Sequence, residues 1–213
     1  MRSPSEHLRS ALAASALVLG ACLSLPKPEP VRLFTIDPHL EGAPSFGPGP
    51  ALLVSAPRAG PGLDGPRILY LKAPNQPEYF ARSQWVEPPA RMLGAALARA
   101  LERTGRFQSV TEVALGSRPG LRLESEVVRL QQEFMVRPSG VRFTLRLELT
   151  DVAAQRIIGT REFEAFSIAP SDDAAGGAAA ANEAVKGALT EAAGWCAELS
   201  ERWRASRAQG DAL

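Results

Sequence analysis

The chain has 213 residues, 45% of them hydrophobic, 22% charged and 6% aromatic, a globular composition that excludes a disordered or fibrous protein. Its 24 basic and 23 acidic residues nearly cancel, and the chain without residues 1–21 is formally neutral. That balance speaks against nucleic acid as a partner, because phosphate binding needs a basic excess or patch.

Residues 1–10 carry Arg2, Arg9 and the amino terminus as positive charge. Residues 11–21, ALAASALVLGA, are apolar or small, and Cys22 follows. This is the order of a secretory signal. The apolar run is too short to span a bilayer, which takes about 20 residues. The end of the run is more specific than an ordinary cleavage site. Leu19-Gly20-Ala21-Cys22 is similar to a bacterial lipobox, which predicts cleavage between Ala21 and Cys22 and acylation of Cys22. The thiol is needed because it is the nucleophile that takes the diacylglyceryl group, and two or three acyl chains anchor a protein firmly where one does not. Leu23 stands where lipoproteins retained in the inner membrane often carry aspartate, so the reading favours the outer membrane, periplasmic face. Residues 24–30, SLPKPEP, hold three prolines and read as an extended tether. At about 3.1 Å per residue it would hold the fold roughly 20 Å from the lipid.

Residues 31–36 (VRLFTI) are a strand candidate, and 41–50, rich in Gly and Pro, a loop. Residues 52–56 form an apolar strand, and 57–66 another loop. Residues 67–72 and 78–86 flank Pro74-Asn75-Gln76-Pro77, which reads as a hairpin with an irregular turn. Pro88-Pro89 suits the first turn of a helix, where a missing amide hydrogen costs nothing. Leu93, Ala96, Leu97, Ala100 and Leu101 follow at helical spacing, with Arg91, Arg99 and Glu102 opposite, and Gly105 fits the left-handed position past the end. The spacing predicts a helix over 89–104.

Residues 106–113 hold a short strand. From 121 the period is two, and residues 121–168 read as a three-stranded antiparallel meander with turns at 138–140 and 151–155. Val127 and Val128 are adjacent and the phase slips there, which predicts a bulge near Val127. Ser171-Asp172-Asp173 supplies caps for a last helix. Gly176-Gly177 weakens its first turn, so order is expected nearer Ala178. Val185, Leu189, Ala192, Cys196, Leu199 and Trp203 form one stripe, with Gly187 and Gly194 on the far face. The fold class is α/β: a single domain over 31–205, a mostly antiparallel sheet packed against two amphipathic helices. It follows a signal peptide over 1–21 and a lipidated tether over 22–30, and a frayed tail over 206–213 follows it.

Two cysteines and two histidines are too few for a disulfide framework or a clustered zinc site. After residue 21 only His39 remains, in a Pro-flanked segment, and it reads as an exposed loop residue. No nucleophile elbow, phosphate loop or H-E-x-x-H stands in the sequence. Cys196 reads as a small buried hydrophobe. Glu124/Glu126 and Glu162/Glu164 read as solvated sheet faces rather than acid/base pairs, and Asp172-Asp173 as a cap. The expectation is a non-enzyme without cofactor or metal.

Several stretches together resemble the ABC-type transport auxiliary lipoproteins, the family that includes paraquat-inducible protein C. They are the lipobox LGAC, VRLFTIDP over 31–38, and residues 51–97 with Trp85-Val86-Glu87-Pro88 opening a helix. Residues 51–101 carry the specific part. Lys72 stands where the family leads one to expect arginine, and Ser83-Gln84 where a histidine often precedes the hairpin tryptophan. The resemblance implies an auxiliary component of an ABC system carrying MCE-domain (mammalian cell entry) proteins. It would dock or receive the MCE assembly at the outer membrane, with phospholipid handed over. Because MCE assemblies are rings, a cyclic homo-oligomer would match their symmetry. The alternative is an outer-membrane lipoprotein that activates or assembles another envelope machine, such as a peptidoglycan synthase.

Aromatic residues and arginine anchor interfaces. The hairpin concentrates Tyr70, Tyr79, Phe80 and Trp85, so Phe80, Arg82 and Trp85 are the candidate partner-binding residues. Trp85, next to Pro88-Pro89, reads first as packing under the helix. Strand alternation would put Phe80 and Arg82 on one face and Tyr79 on the other. The fallback face is the solvated side of the meander at Arg142, Arg146 and Glu148.

Overall fold

The computed structural model describes residues 29–113 and 119–210. The signal segment, Ala21, Cys22 and Leu23 lie outside them.

The longest ladders are antiparallel and local. Strands β7 (Leu121–Glu133), β8 (Gly140–Asp151) and β9 (Arg156–Ile168) form the expected meander. Its alternation sorts two faces. Val141, Phe143, Leu145, Leu147 and Leu149 are buried on one, while Arg142, Arg146 and Glu148 lie on the other. The register slips between Val127 and Arg129, where the adjacent valines break the period.

The free edge of β7 carries three short strands laid end to end, all parallel to it. They are β2 (Ala51–Val54), β3 (Arg58–Ala59) and β4 (Arg67–Leu71). Gly60 continues this line, and a Cβ there would lie 2.6 Å from the Val127 carbonyl oxygen. β4 turns back antiparallel into β5 (Pro77–Trp85), and β1 (Arg32–Phe34) lies parallel on β5. β6 (Ser109–Thr111) closes the other branch on β2. Among the described residues the result is one open sheet of nine strands, mostly antiparallel by ladder length, with two helices packed on it and on each other.

Helix α1 (Pro89–Glu102) starts after Pro88 with proline at its first position, and buries Leu93, Ala96, Leu97, Ala100 and Leu101 as its spacing dictates. Gly105 takes φ 63°, the left-handed value expected past the helix end. Helix α2 (Ala174–Gly210) is longer than expected at both ends. It begins at Ala174 rather than near Ala178, and it runs on past 205 through residues expected to fray.

The early start has a packing cause. Asp173 Oδ1 accepts the Gly176 amide at 2.8 Å, which caps the helix. A Cβ on Gly177 would fall 2.1 Å from Gln132 Oε1. The two glycines therefore allow close approach where propensity alone would count them as a loss. Val185, Leu189, Ala192 and Cys196 of the predicted stripe are fully buried, and Leu199 and Trp203 pack partly against the core. No described helix is long and apolar enough to cross a membrane.

Candidate partner-docking surface

The β4–β5 hairpin brings two of its aromatic residues, Tyr70 and Phe80, together with one that the sequence gives no reason to add. Tyr70 and Phe80 lie 4.6 Å apart by ring centroids, and Phe134, from just past the end of β7, completes the cluster at 5.7 and 6.4 Å. The backbone explains the third ring: the Phe134 amide donates to the Leu71 carbonyl at 2.8 Å, which carries the β4–β7 ladder one residue further. Tilted and edge-on arrangements of this kind are favoured by the ring quadrupoles. Phe80 is half-buried, so it presents an edge and not a whole face.

A polar network rims the cluster. Tyr70 donates to Glu78 Oε2 at 2.6 Å, and Lys72 donates to the same oxygen at 3.3 Å. The Tyr70 hydroxyl, then the Lys72 ammonium, hold the Glu78 carboxyl below its ordinary range. On the other side, Arg67 stacks over Tyr79 at 3.8 Å, and the Tyr79 hydroxyl donates to the Gly62 carbonyl.

Arg82 is exposed on β5. Its relation to Phe80 is looser than alternation implies. Between the pairs Leu69↔Tyr79 and Arg67↔Gln84, β5 advances further than β4, and the irregularity falls at residues 80–83. A bulge of this kind re-aims side chains, so pairing with β4 does not fix Phe80 and Arg82 to one face. Trp85, the third candidate, is 3% exposed. It packs among core residues and offers a partner almost no surface, so its burial corrects the reading of it as a contact residue. The signal was legible: it precedes Pro88-Pro89 and belongs under the first helix.

The solvated face of the meander is an ion-pair lattice. Arg142 donates to Glu133 at 2.9 Å and to Glu164 at 2.7 Å. Arg146 pairs with Glu162 and Glu126. Burial pushes the Glu133 carboxyl up, but hydrogen bonds from Arg142 and Gln131 outweigh it and hold it below its ordinary value. The paired carboxylates Glu162 and Glu164 thus serve as acceptors for arginine.

A groove of about 630 Å³ runs between the helices. Small residues, among them Ala100, Ala193 and Ala197, line it, and the Arg106–Glu201 and Lys186–Glu41 pairs stand along it. His39 is exposed, as expected. Cys196 is fully buried, and burial pushes its thiol up. Among the described residues no group of three His, Cys, Asp or Glu could hold a metal ion.

A family model described as the ABC-type transport auxiliary lipoprotein component matches residues 34–193. A protein from Xanthomonas campestris, XCC0632, of family DUF330, superposes with a TM-score of 0.73 at 24% identity, over 81% of this chain and 98% of its own. An uncharacterized protein superposes with a TM-score of 0.61 at 15% identity, over 80% of this chain and 98% of its own. Both likenesses concern the fold. No curated protein matches the sequence.

Proposed function

Since this chain belongs to the ABC-type transport auxiliary lipoprotein family, we propose that it is an outer-membrane lipoprotein, acylated at Cys22, that docks the MCE-domain component of an ABC lipid or solvent-tolerance transport system from the periplasmic face. Family membership carries the auxiliary role. The lipobox at Leu19–Cys22 supports the anchor, and Leu23 in place of aspartate supports outer-membrane sorting. The chain works without catalysis. Phospholipid passes by way of the complex, and a ring of copies would match the symmetry of an MCE ring.

The docking contact is assigned to Phe80 and Arg82. The supporting observation is the Tyr70–Phe80–Phe134 cluster, half-buried and therefore both held in place and reachable. The test is crosslinking in intact cells with the wild type and a Phe80→Ala, Arg82→Ala double variant. The variant is expected to fold and sort normally, to lose the crosslink to the MCE protein, and to leak like a deletion strain. Retention of the crosslink in a well-folded variant moves the contact to the Arg142–Arg146 face. For the anchor, intact mass of membrane-extracted protein is expected to show an acylated Cys22 as the first residue. Leu23→Asp is expected to move the protein to the inner membrane. Wild-type protein found only in inner-membrane vesicles would overturn the sorting.

A further inference from the structure

Single apolar side chains in solvent are ordinary, but a cluster of them marks an interaction surface. Four of them gather at one end of the sheet. Met135 and Val136, in the β7–β8 turn, are 43% and 56% exposed, and Phe166 and Ile168, at the end of β9, are 43% and 61% exposed. The register joins the two pairs: Gly140, the first residue after the turn, stands opposite Ile168, and the Ala169 amide donates to Ser139. Phe166 lies across β8 over Gly140, where a Cβ would meet its ring at 2.2 Å. The missing side chain therefore lets the ring lie flat at the tip.

The described chain enters at the same end. β1 runs parallel to β5, away from the β4–β5 turn, with Arg32 opposite Ser83. The charge of Arg32 also reaches Asp173 at the start of α2. The Gly176 amide and Ser171 hold the Asp173 carboxyl low, and the charge of Arg32 adds to them. From Ser83 back to Pro77 the strand covers about 20 Å. From Cys22 to Val31 the chain can reach at most about 30 Å. A lipid anchor at Cys22 is thus long enough to let the tip touch the surface it is anchored in, and short enough to keep it near.

From this geometry we infer that the tip formed by Met135, Val136, Phe166 and Ile168 is a second membrane contact, in which apolar side chains enter the headgroup layer of the membrane that holds the lipid anchor. The inference rests on the proposed acylation of Cys22. Charge does not select the lipid. Arg32, Lys72 and Arg137 are matched by Asp173, Glu78 and Asp172, and Arg142, 5.3 Å from the centre of the Phe166 ring, is paired with Glu133 and Glu164, so the contact is apolar and works on neutral bilayers.

The test uses the full acylated protein in phosphatidylcholine vesicles, with an environment-sensitive thiol probe at Val136→Cys or, as a control at the opposite end of the sheet, at Ile157→Cys. Both positions are exposed, and buried Cys196 does not compete for the label. The position 136 probe should shift to the blue and lose intensity to brominated phosphatidylcholine, and the position 157 probe should do neither. A position 136 probe that stays in a polar environment on acylated protein overturns the tip contact and leaves the surface to a protein partner. Equal quenching at both positions is non-specific adsorption and overturns it too. Intact mass of the same preparation separates the two failures: an unmodified Cys22 overturns the anchor, and with it the inference.

Discussion

The indole Nε1 of Trp203 donates a 2.7 Å hydrogen bond to Asp151 Oδ2, and so fixes the last helix to the turn between β8 and β9. The other oxygen of Asp151 accepts the Ala153 and Ala154 amides at 3.0 Å each, which shapes the turn. Burial at 2% exposure works against the ionised carboxyl. The Trp203, Ala154 and Ala153 hydrogen bonds and the charge of Arg207 outweigh it and hold the group below its ordinary value.

One carboxylate therefore secures a turn and a helix together. Asp151→Asn keeps the shape and loses the charge, and is expected to cost about 1–2 kcal/mol at neutral pH. A folded carboxyl below its ordinary value of 3.8 contributes stability above that pH and loses it as pH falls through the folded value. The gap between wild type and variant should accordingly close in acid. Thermal melts from pH 7 down to 3 check this, and a gap that widens in acid contradicts it.

Arg142 and Glu133 give a second test. Without the guanidinium, only the Gln131 hydrogen bond and the charge of Arg129 still oppose burial, and the Glu133 carboxyl moves up from its lowered position. Arg142→Ala is expected to lose about 1–3 kcal/mol at pH 7, because it leaves a largely buried carboxylate unpaired. Because the pair holds Glu133 below its ordinary 4.5, the loss should shrink as pH falls below 4.5 and the carboxylate takes up a proton. Denaturant titrations at the two pH values measure both numbers.

The glycines of α2 should respond in opposite directions. Gly177→Ala drives a Cβ into the Gln132 carboxamide, which bonds to Ser139 and to the Asp173 carbonyl, and is expected to destabilise by about 1–3 kcal/mol. Gly194→Ala meets nothing within 4 Å on an exposed face and is expected to stabilise by about 0.5–1 kcal/mol. Melting temperatures of the two variants should fall on either side of the wild type.

Leu97→Ala and Leu189→Ala remove fully buried side chains where α1 and α2 meet the sheet, at an expected cost of about 2–5 kcal/mol each. Arg99→Ala and Glu191→Ala break exposed ion pairs with Asp37 and Arg161 and are expected to stay within about 1 kcal/mol. Equal losses in the two sets would mean that the helix faces are misassigned.

What the sequence reveals and what it hides divides along one line. The helix over 89–102, the turn at Gly105, the meander and the slip at Val127 follow from residues close together in the chain, where periodicity and punctuation act. β3, the parallel pairing of β2, β3 and β4 on β7, and the arrival of Phe134 beside Tyr70 and Phe80 depend on neighbours far along the chain. A two-residue strand has no period to detect. Gly176-Gly177 shows the same division: local propensity reads a weak first turn, and Gln132 from β7 supplies the reason for the glycines. In the candidate surface, aromatic enrichment pointed to a hairpin where rings do cluster, and alternation failed at residues 80–83, where the ladder is irregular.

The placement of β2, β3 and β4 along one edge of β7 also sets an order of assembly. Leu52 has to wait for Leu121, Arg58 for Glu126 and Tyr70 for Gln132. A chain that is made amino-terminus first has apolar strands and no sheet to receive them until β7 has followed. Contacts this distant in sequence close slowly. The first part of the domain is therefore the stretch in which a holding chaperone would matter most, and a stall before residue 121 would leave it unable to fold.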